Sequence, residues 1–503
     1  MSLRSFCELV VRLHGQPFSL TGRPYLHQIY NSTDKNIVIR ASRQVEKSTF
    51  LANRIIYDCY KYRRIRILFV SPRQEQAELF SRDRLQATIQ ESPILSRLLW
   101  PKSRPMPVRD ICFPNGSRVY VRPAFHSADG VRGISADEIF IDEFQDVAPG
   151  QLPVMQETLS HSATARTVLT GTPKLIDNHL EAAFTRSTAN EWRIPCDNCP
   201  ELALLDERVL GLTSLVCAAC GAALDVQRGY WLPRNPHSEW GQGYWINHLM
   251  ASWLNVADVL ARRSTYDPIR FRNEVLGLAV HLGDHIVTRE ELEACCDAYP
   301  TANRISDVPL VSRRGIIAGI DWGGGVDSAT VLAVGYVTPG NRSFNFCRFD
   351  RWGPRAEPED TCRQIAVLCN QLGVRGIAAD GGGNGSVYNR LLLRAMGRLV
   401  PFWAIHYSAA DQEPIANGDL TQWTVNRTAS IGTLFMRIKL GQIRFPRVAD
   451  SGSFLDEIAS EVVQYDDLSR SFKYMRTPGQ RDDALHACNY AHVLALRTVR
   501  AHH

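Results

Sequence analysis

The chain has 503 residues, room for two or three domains with cores of their own. Glycine (34) and proline (26) sit near ordinary usage, which excludes collagen-like and low-complexity classes, and 45% hydrophobic with 22% charged residues is the balance of a soluble globular protein. Lys and Arg (57) against Asp and Glu (52) leave a formal charge of +5, which permits a nucleic-acid partner without requiring one.

In chain order, the N-terminus breaks its short apolar stretch with Glu8 and Arg12, so no secretory signal is expected. No run approaches the roughly 18 apolar residues of a membrane span. Residues 36–41 read as a strand, followed by a polar loop and a helix. Residues 64–71 read as a second strand followed by a helix, and 117–123 as a third that closes a hairpin over Asn115-Gly116. Two more strands follow at 138–143 and 166–172. Strands alternating with helices predict an open, mostly parallel sheet whose ligands bind at the carboxyl ends of the strands. The rhythm is lost over about 185–300, where two close cysteine pairs precede Trp231, Trp240, Trp245 and Trp253. Three successive strands then appear at 315–324, 328–337 and 345–352. A helix (359–371), a strand (376–380), a helix (386–396) and a strand (401–407) come next, and helices fill much of the rest.

The loop after the first strand reads Ala41-Ser42-Arg43-Gln44-Val45-Glu46-Lys47-Ser48, with Thr49 next. It fits the end of the phosphate-loop template G-x-x-x-x-G-K-[ST]. Loop amides and a helix N-terminus would cradle phosphates, Lys47 would neutralise the β and γ phosphates, and Ser48 would hold Mg²⁺. Ser42, Arg43, Gln44 and Thr49 complete the candidate nucleotide set. Both template glycines are missing. Ala41 is a mild change, but Glu46 puts a carboxylate and a Cβ beside the phosphates. A Lys-Ser pair at an ordinary helix start is the competing reading. The strand ending in Asp142-Glu143 restores the balance: Asp142 would hold Mg²⁺ through water and Glu143 would polarise the attacking water. Thr170-Gly171-Thr172 ends another strand, and there Thr172 would sense the γ-phosphate. Together these predict an ATP site, with the rate of turnover left open by Glu46. Gln28 is a candidate to hydrogen-bond adenine, with Tyr25 near the base; an ordinary helix start also accounts for both. Arg43 and Arg132 are candidates to stabilise phosphoryl-transfer charge, Arg132 as an arginine finger or, equally, as a DNA-phosphate contact.

The 13 cysteines are an odd number in a long chain without a signal, which favours free thiols and a metal site in a reducing cytosol over a disulfide framework. Cys196-x2-Cys199 and Cys217-x2-Cys220 have the spacing of two knuckles that bring four thiolates round a structural zinc ion. A set of four thiolates leaves no open position, so its metal would serve folding rather than catalysis. A redox pair or chance is the alternative.

Asp321 and Asp380 each end a strand and are each followed by glycines, and Asp482-Asp483 precede the last long helix. Three antiparallel strands, then helix, strand, helix, is the order of a ribonuclease H-like domain, in which the first and fourth strands are neighbours. Asp321 and Asp380 would then face each other, and the acids at the final helix would complete a cluster. Such carboxylates repel unless divalent cations pair them, and two Mg²⁺ or Mn²⁺ ions about 4 Å apart would serve phosphodiester cleavage. Each Asp alone has a bland reading as turn or cap chemistry, and Asp327 is more a turn residue than a ligand. The expected fold class is α/β: a P-loop ATPase parallel sheet over 1–190, an inserted zinc ribbon over 191–230, a connecting subdomain over 231–310 and a ribonuclease H-like nuclease domain over 311–503.

This combination resembles the large terminase subunit of tailed bacteriophages, the motor-nuclease that packages DNA. The resemblance rests on Ser42-Arg43-Gln44 with Lys47-Ser48, on Arg132-Gly133 with Ile141-Asp142-Glu143, and on Thr170-Gly171-Thr172. Phe271-Arg272-Asn273-Glu274-Val275-Leu276-Gly277, Asp321, Asp380 and Arg481-Asp482-Asp483-Ala484 add to it. It implies an ATPase and metal-dependent endonuclease that drives double-stranded DNA into a procapsid and cuts concatemers. It further implies a small terminase subunit, a portal, a homo-oligomeric ring when docked, and a place in the bacterial cytoplasm without a membrane. Glu46 departs from the family's usual glycine. Two rivals stand beside this reading. A helicase-type repair or defence nuclease needs a second ATPase sheet, and none reads in the stretch between Gly171 and Gly315, part of which is the ribbon. A DNA-binding scaffold with a degenerate ATP loop is motivated by Glu46 and opposed by Lys47, Asp142-Glu143 and the acidic cluster. The basic run Lys61 to Arg66 is a solvated helix end or a phosphate contact.

Overall fold

The computed structural model describes residues 1–100, 105–124, 129–131, 133–148, 150–253, 255–281, 283, 285–323, 328–338, 343–397, 400–466, 471–477 and 479–500. The chain divides into two compact units, Met1–Arg262 with Arg270–His281, and Arg263–Ile269 with Leu282–His503. No helix among the described residues is long and apolar enough to cross a membrane.

The first unit is built on a ten-stranded sheet. Its centre runs Gln242–Ile246, Asn36–Ala41, Arg166–Gly171, Glu138–Ile141, Arg66–Ser71 and Arg118–Pro123, all parallel. Ile37, Val38 and Ile39, Ile67 to Val70, and Ile139 to Ile141 are all buried. Such unbroken apolar runs are what a sheet covered on both faces requires. The hairpin over Asn115-Gly116 forms as expected, with Asp110–Cys112 antiparallel to Arg118–Pro123 and Gly116 at φ +84°. The strand Gln242–Ile246 lies within the stretch read as a connecting subdomain, yet it sits beside the loop-bearing strand, Trp245 opposite Arg40. Two of these tryptophans serve packing: Trp245 is buried, and Trp231 meets both Trp192 and Tyr244 edge-on, at 5.2 and 5.1 Å between centroids.

The second unit holds an eight-stranded mixed sheet. Ile316–Asp321, Thr330–Val337 and Phe344–Trp352 form an antiparallel meander. The chain then passes through the helix Pro358–Gln371 and returns as Gly376–Asp380, parallel to Ile316–Asp321. The helix Gly385–Met396 leads to Phe402–Ser408, parallel to Gly376–Asp380. This matches the expected order. Where helices were expected to fill much of the remaining chain, the sheet is also extended by Ile415–Asn417 and Leu420–Asn426 at one edge and Ile443–Arg444 at the other. A separate ribbon, Glu461–Asp466 with Ser471–Arg476, precedes the final helix. That helix, Asp483–Arg500, lies against Ile316–Asp321 so closely that a Cβ on Gly319 would stand 2.0 Å from the Ala487 carbonyl oxygen. Only glycine allows this approach.

Candidate functional site

The phosphate loop joins Asn36–Ala41 to the helix Lys47–Lys61, so it stands at the carboxyl end of a central parallel strand. Lys47 is buried, and its Nζ donates to the Ser42 carbonyl and to Thr172 Oγ1, both at 2.9 Å. Burial holds its pKa below the usual lysine value, against the pull of Glu143 and Asp142. Ser48 Oγ donates to Asp142 Oδ2 at 2.9 Å, and Thr170 Oγ1 donates to Asp142 Oδ1 at 2.7 Å. Asp142 is raised above the ordinary carboxylate range, first by burial and then by Glu143. Lys47 with Thr172, and Ser48 with Asp142, predicted from separate motifs, are therefore two bonded pairs at the ends of three neighbouring strands.

The loop's backbone explains the glycine template and the departure from it. Gln44 has φ +56° and Glu46 φ +65°, the left-handed region that costs a side-chain-bearing residue about 1–2 kcal/mol. The Glu46 side chain turns aside and meets Arg23 Nε at 2.8 Å. The loop is further held by the Phe271–Val275 turn and the residues after it. The Arg43 amide donates to the Glu274 carbonyl at 3.1 Å, and the Arg43 guanidinium pairs with the Glu274 carboxylate at 3.2 Å. The Ser42 amide donates to the Ile246 carbonyl, and Gly277 at φ +61° allows this packing, since a Cβ there would stand 2.8 Å from the Ser42 nitrogen. Gln44 and Arg43 are exposed, and Thr49 is half-buried in the first helical turn.

Glu143 takes φ +50° two residues past the end of its strand. Gln145, which the sequence did not single out, donates Nε2 to Glu143 Oε2 at 2.6 Å and accepts the Thr172 amide on Oε1 at 3.1 Å. It ties the two acidic-strand and threonine-strand ends together; no motif marks it. Gln28 is exposed and lies near the Tyr244 hydroxyl, whose pKa burial raises to about 12. Tyr25 is fully buried with its ring edge-on to Trp192, 6.3 Å between centroids. Burial raises the Tyr25 hydroxyl well above its usual pKa. Arg132 and Asp327 lie outside the described residues.

The four cysteines of the paired motif converge. Cys196 Sγ is 3.5 Å from Cys220 Sγ and Cys199 Sγ is 3.6 Å from Cys217 Sγ, with all four sulfurs within 4.8 Å of one another. A tetrahedral set of thiolates about 2.3 Å from zinc has sulfurs about 3.8 Å apart, so the donor set fits that ion. The Asn198 amide points at Cys196 Sγ at 3.4 Å, and the turn after Cys220 uses Gly221 at φ +76°. The Cys220 thiol is held down at about 6, first by its backbone hydrogen bond with Ala222.

In the second unit Ile320 pairs with Ala379, which sets Asp321 and Asp380 side by side at two parallel strand ends. The Asp321 carboxyl lies well above the usual range, through burial first and then the charges of Asp380, Asp483, Asp482 and Glu457. Asp380 is raised by burial, offset by the Gly382 amide, which its Oδ1 accepts at 2.9 Å, and by His486 and His406. Asp483 accepts from Ser328 Oγ and the Ala329 amide, both at 3.0 Å. Burial pushes Asp482 up, but His486 beside its Oδ2 at 3.2 Å, with Arg476 and Arg427, outweighs it and holds the carboxyl low. Glu457, Glu461, His406 and His486 also face this cluster, and sequence reasoning missed them. Glu461 begins the unexpected ribbon, and Glu457 and His486 look like ordinary helix residues until the helices are docked. Among the described residues the groups whose ligand atoms lie within 4.8 Å are the four cysteines and Glu461 with Asp482 and His486.

No curated protein matches the sequence. Among solved structures, the HK97 bacteriophage large terminase is 14% identical, covering 98% of this chain and 99% of its own, with a TM-score of 0.39. A large terminase from a thermophilic bacteriophage, in complex with ADP, is 12% identical, covering 94% and 98%, with a TM-score of 0.38. The large terminase nuclease from thermophilic phage G20c is 14% identical, covering 42% and 98%, with a TM-score of 0.29. The family model for the ATPase domain of phage terminase large subunit gpA matches residues 16–231, the span that holds the phosphate loop, Asp142-Glu143, Thr172 and the four cysteines. Over residues 16–231 the chain is similar to the ATPase domain of phage terminase large subunit gpA.

Proposed function

We propose that this chain is a DNA-packaging motor subunit that hydrolyses ATP in its first unit and cuts DNA in its second. The observation that carries the reading is the bonded set Lys47–Thr172 and Ser48–Asp142–Thr170 at the carboxyl ends of adjacent parallel strands. Lys47 presents its ammonium where the β and γ phosphates would lie. Ser48 and Asp142 would hold Mg²⁺, which supplies charge neutralisation on the phosphates. Glu143, oriented by Gln145, polarises the attacking water, and Thr172 reports the γ-phosphate to that same glutamine. In the second unit Asp321, Asp380, Asp482 and Asp483 would hold divalent cations, which supply water activation and leaving-oxygen stabilisation. The raised carboxyls of Asp321 and Asp380 support this, because clustered acids need cations to ionise together. Cys196, Cys199, Cys217 and Cys220 would hold structural zinc. The partners are double-stranded DNA, a small terminase subunit and a procapsid portal on which a ring of these chains docks, in the bacterial cytoplasm.

The test combines two assays on the full chain. Supercoiled plasmid with Mn²⁺ should be cut by the parent and not by Asp321→Ala, while both hydrolyse ATP. Lys47→Ala should lose ATP hydrolysis and keep Mn²⁺-dependent cutting. Loss of both activities in either variant would refute the assignment of one chemistry to each unit. Absence of ATP hydrolysis in the parent, with or without DNA, would favour the scaffold reading.

A further inference from the structure

Glu46 occupies the position where the phosphate-loop template has glycine. Its backbone adopts the left-handed geometry that glycine supplies freely, φ +65° and ψ 17°. Its carboxylate makes no capping bond to the helix Lys47–Lys61 that it precedes. Left unpaired, it would be a third acid near Lys47, beside Asp142 and Glu143, in a place meant for a polyanion. Its partner is instead Arg23, at 2.8 Å, with about three-quarters of each side chain buried. Arg23 comes from the segment just before the helix Pro24–Asn31 and has its own supports. Its NH1 donates to the Ser19 carbonyl at 3.3 Å, and its guanidinium lies 4.9 Å from the ring centroid of Trp253. Stacking on an indole and a carbonyl contact fix the direction in which the guanidinium faces.

We propose that Arg23 is a positioning residue of the nucleotide site: it holds the Glu46 carboxylate away from the phosphate loop and offsets its charge, so that the loop accepts ATP without the template glycine. Arg23 touches no phosphate in this role; it acts through Glu46. The proposal rests on the nucleotide-site reading of this loop.

The test is a double-mutant cycle on the full chain, read as affinity for a fluorescent ATP analogue and for a fluorescent adenosine that carries no phosphate. Arg23→Ala should weaken the ATP analogue about 10-fold or more, the size expected of one uncompensated charge near the phosphates. On a Glu46→Gly background the same substitution should cost less than about 2-fold, because no carboxylate remains to be held. Arg23→Lys, which keeps the charge, should retain most of the affinity. The adenosine probe should change little throughout. An equal loss in both backgrounds, no loss in either, or an equal loss for adenosine would overturn the proposal, since each is what a purely structural arginine would do. Recovery of binding in the double variant also shows that the Arg23→Ala fold is intact. If the parent and Lys47→Ala bind the ATP analogue alike, the nucleotide site itself is overturned, a result distinct from failure of the arginine's role.

Discussion

Gly319→Ala is the substitution through which packing and chemistry in the second unit are most directly linked. The new Cβ would stand 2.0 Å from the Ala487 carbonyl oxygen, 2.6 Å from the Ala491 amide nitrogen and 2.9 Å from the Ala491 Cβ. The first two are helix backbone atoms, which no rotamer change can move. To restore ordinary contact the helix Asp483–Arg500 must retreat by about 1.5 Å. Overpacking of this kind costs about 1–3 kcal/mol. In a unit of this size each kcal/mol lowers the melting temperature by about 2–4 °C. The same helix carries Asp483 and His486, and Asp482 directly precedes it, so these groups shift relative to Asp321, two residues along the strand from the substitution. A displacement of about 1 Å at a reacting centre costs about 100-fold in rate. Thermal unfolding followed by circular dichroism, together with Mn²⁺-dependent plasmid cleavage, reads both effects. The expected result is a lowered transition, cleavage down about 100-fold and ATP hydrolysis retained. A variant with unchanged melting and unchanged cleavage would refute the close helix–strand contact and the catalytic role of the helix start.

Glu143→Gln should bind ATP and fail to release phosphate, read as bound nucleotide after gel filtration; unchanged turnover would remove Glu143 from its role. Metal analysis should find about one zinc per chain, and replacing Cys217 with Ser should abolish it and lower the stability of the 190–233 region, as read by limited proteolysis; a fully folded metal-free chain would refute the zinc assignment. Glu138 gives a pH prediction: burial first, then Asp58, raises its carboxyl to about 8 even with Arg166 at 2.5 Å. A raised acid binds its proton more tightly folded than unfolded, so its contribution is complete below the ordinary value of 4.5 and is lost as pH climbs through about 8. Glu138→Gln should therefore flatten the decline in stability between those limits, and an unchanged slope in denaturant titrations at several pH values would refute it.

Much of this protein is legible from residue order because its motifs are local. A strand, a loop and a helix carry Lys47 and Ser48 within a few residues, and two close cysteine pairs carry their own spacing. Apolar runs such as Ile37 to Ile39 and Ile67 to Val70 mark buried parallel strands, since backbone pairing on both sides leaves only the two faces to be covered. Asp321 and Asp380 were readable as neighbours because the order of strands in their domain dictates it.

What residue order leaves open is set by contacts between distant segments. Gln242–Ile246 reads as part of a tryptophan-rich stretch, and only its pairing with Asn36–Ala41 makes it a central strand. Gln145 has no signature; its role arises because two strand ends stand within hydrogen-bonding reach. Glu46 reads as a defect until Arg23, 23 positions earlier, is seen at its carboxylate. Glu461 and His486 join Asp482 only once the ribbon and the last helix dock. Local sequence determines which groups the chain offers for phosphate, metal and thiolate chemistry, because hydrogen-bond periodicity and loop geometry act over a few residues. Tertiary structure decides which of those groups are neutralised, oriented or brought together, because charge compensation and close packing depend on distance in space rather than along the chain.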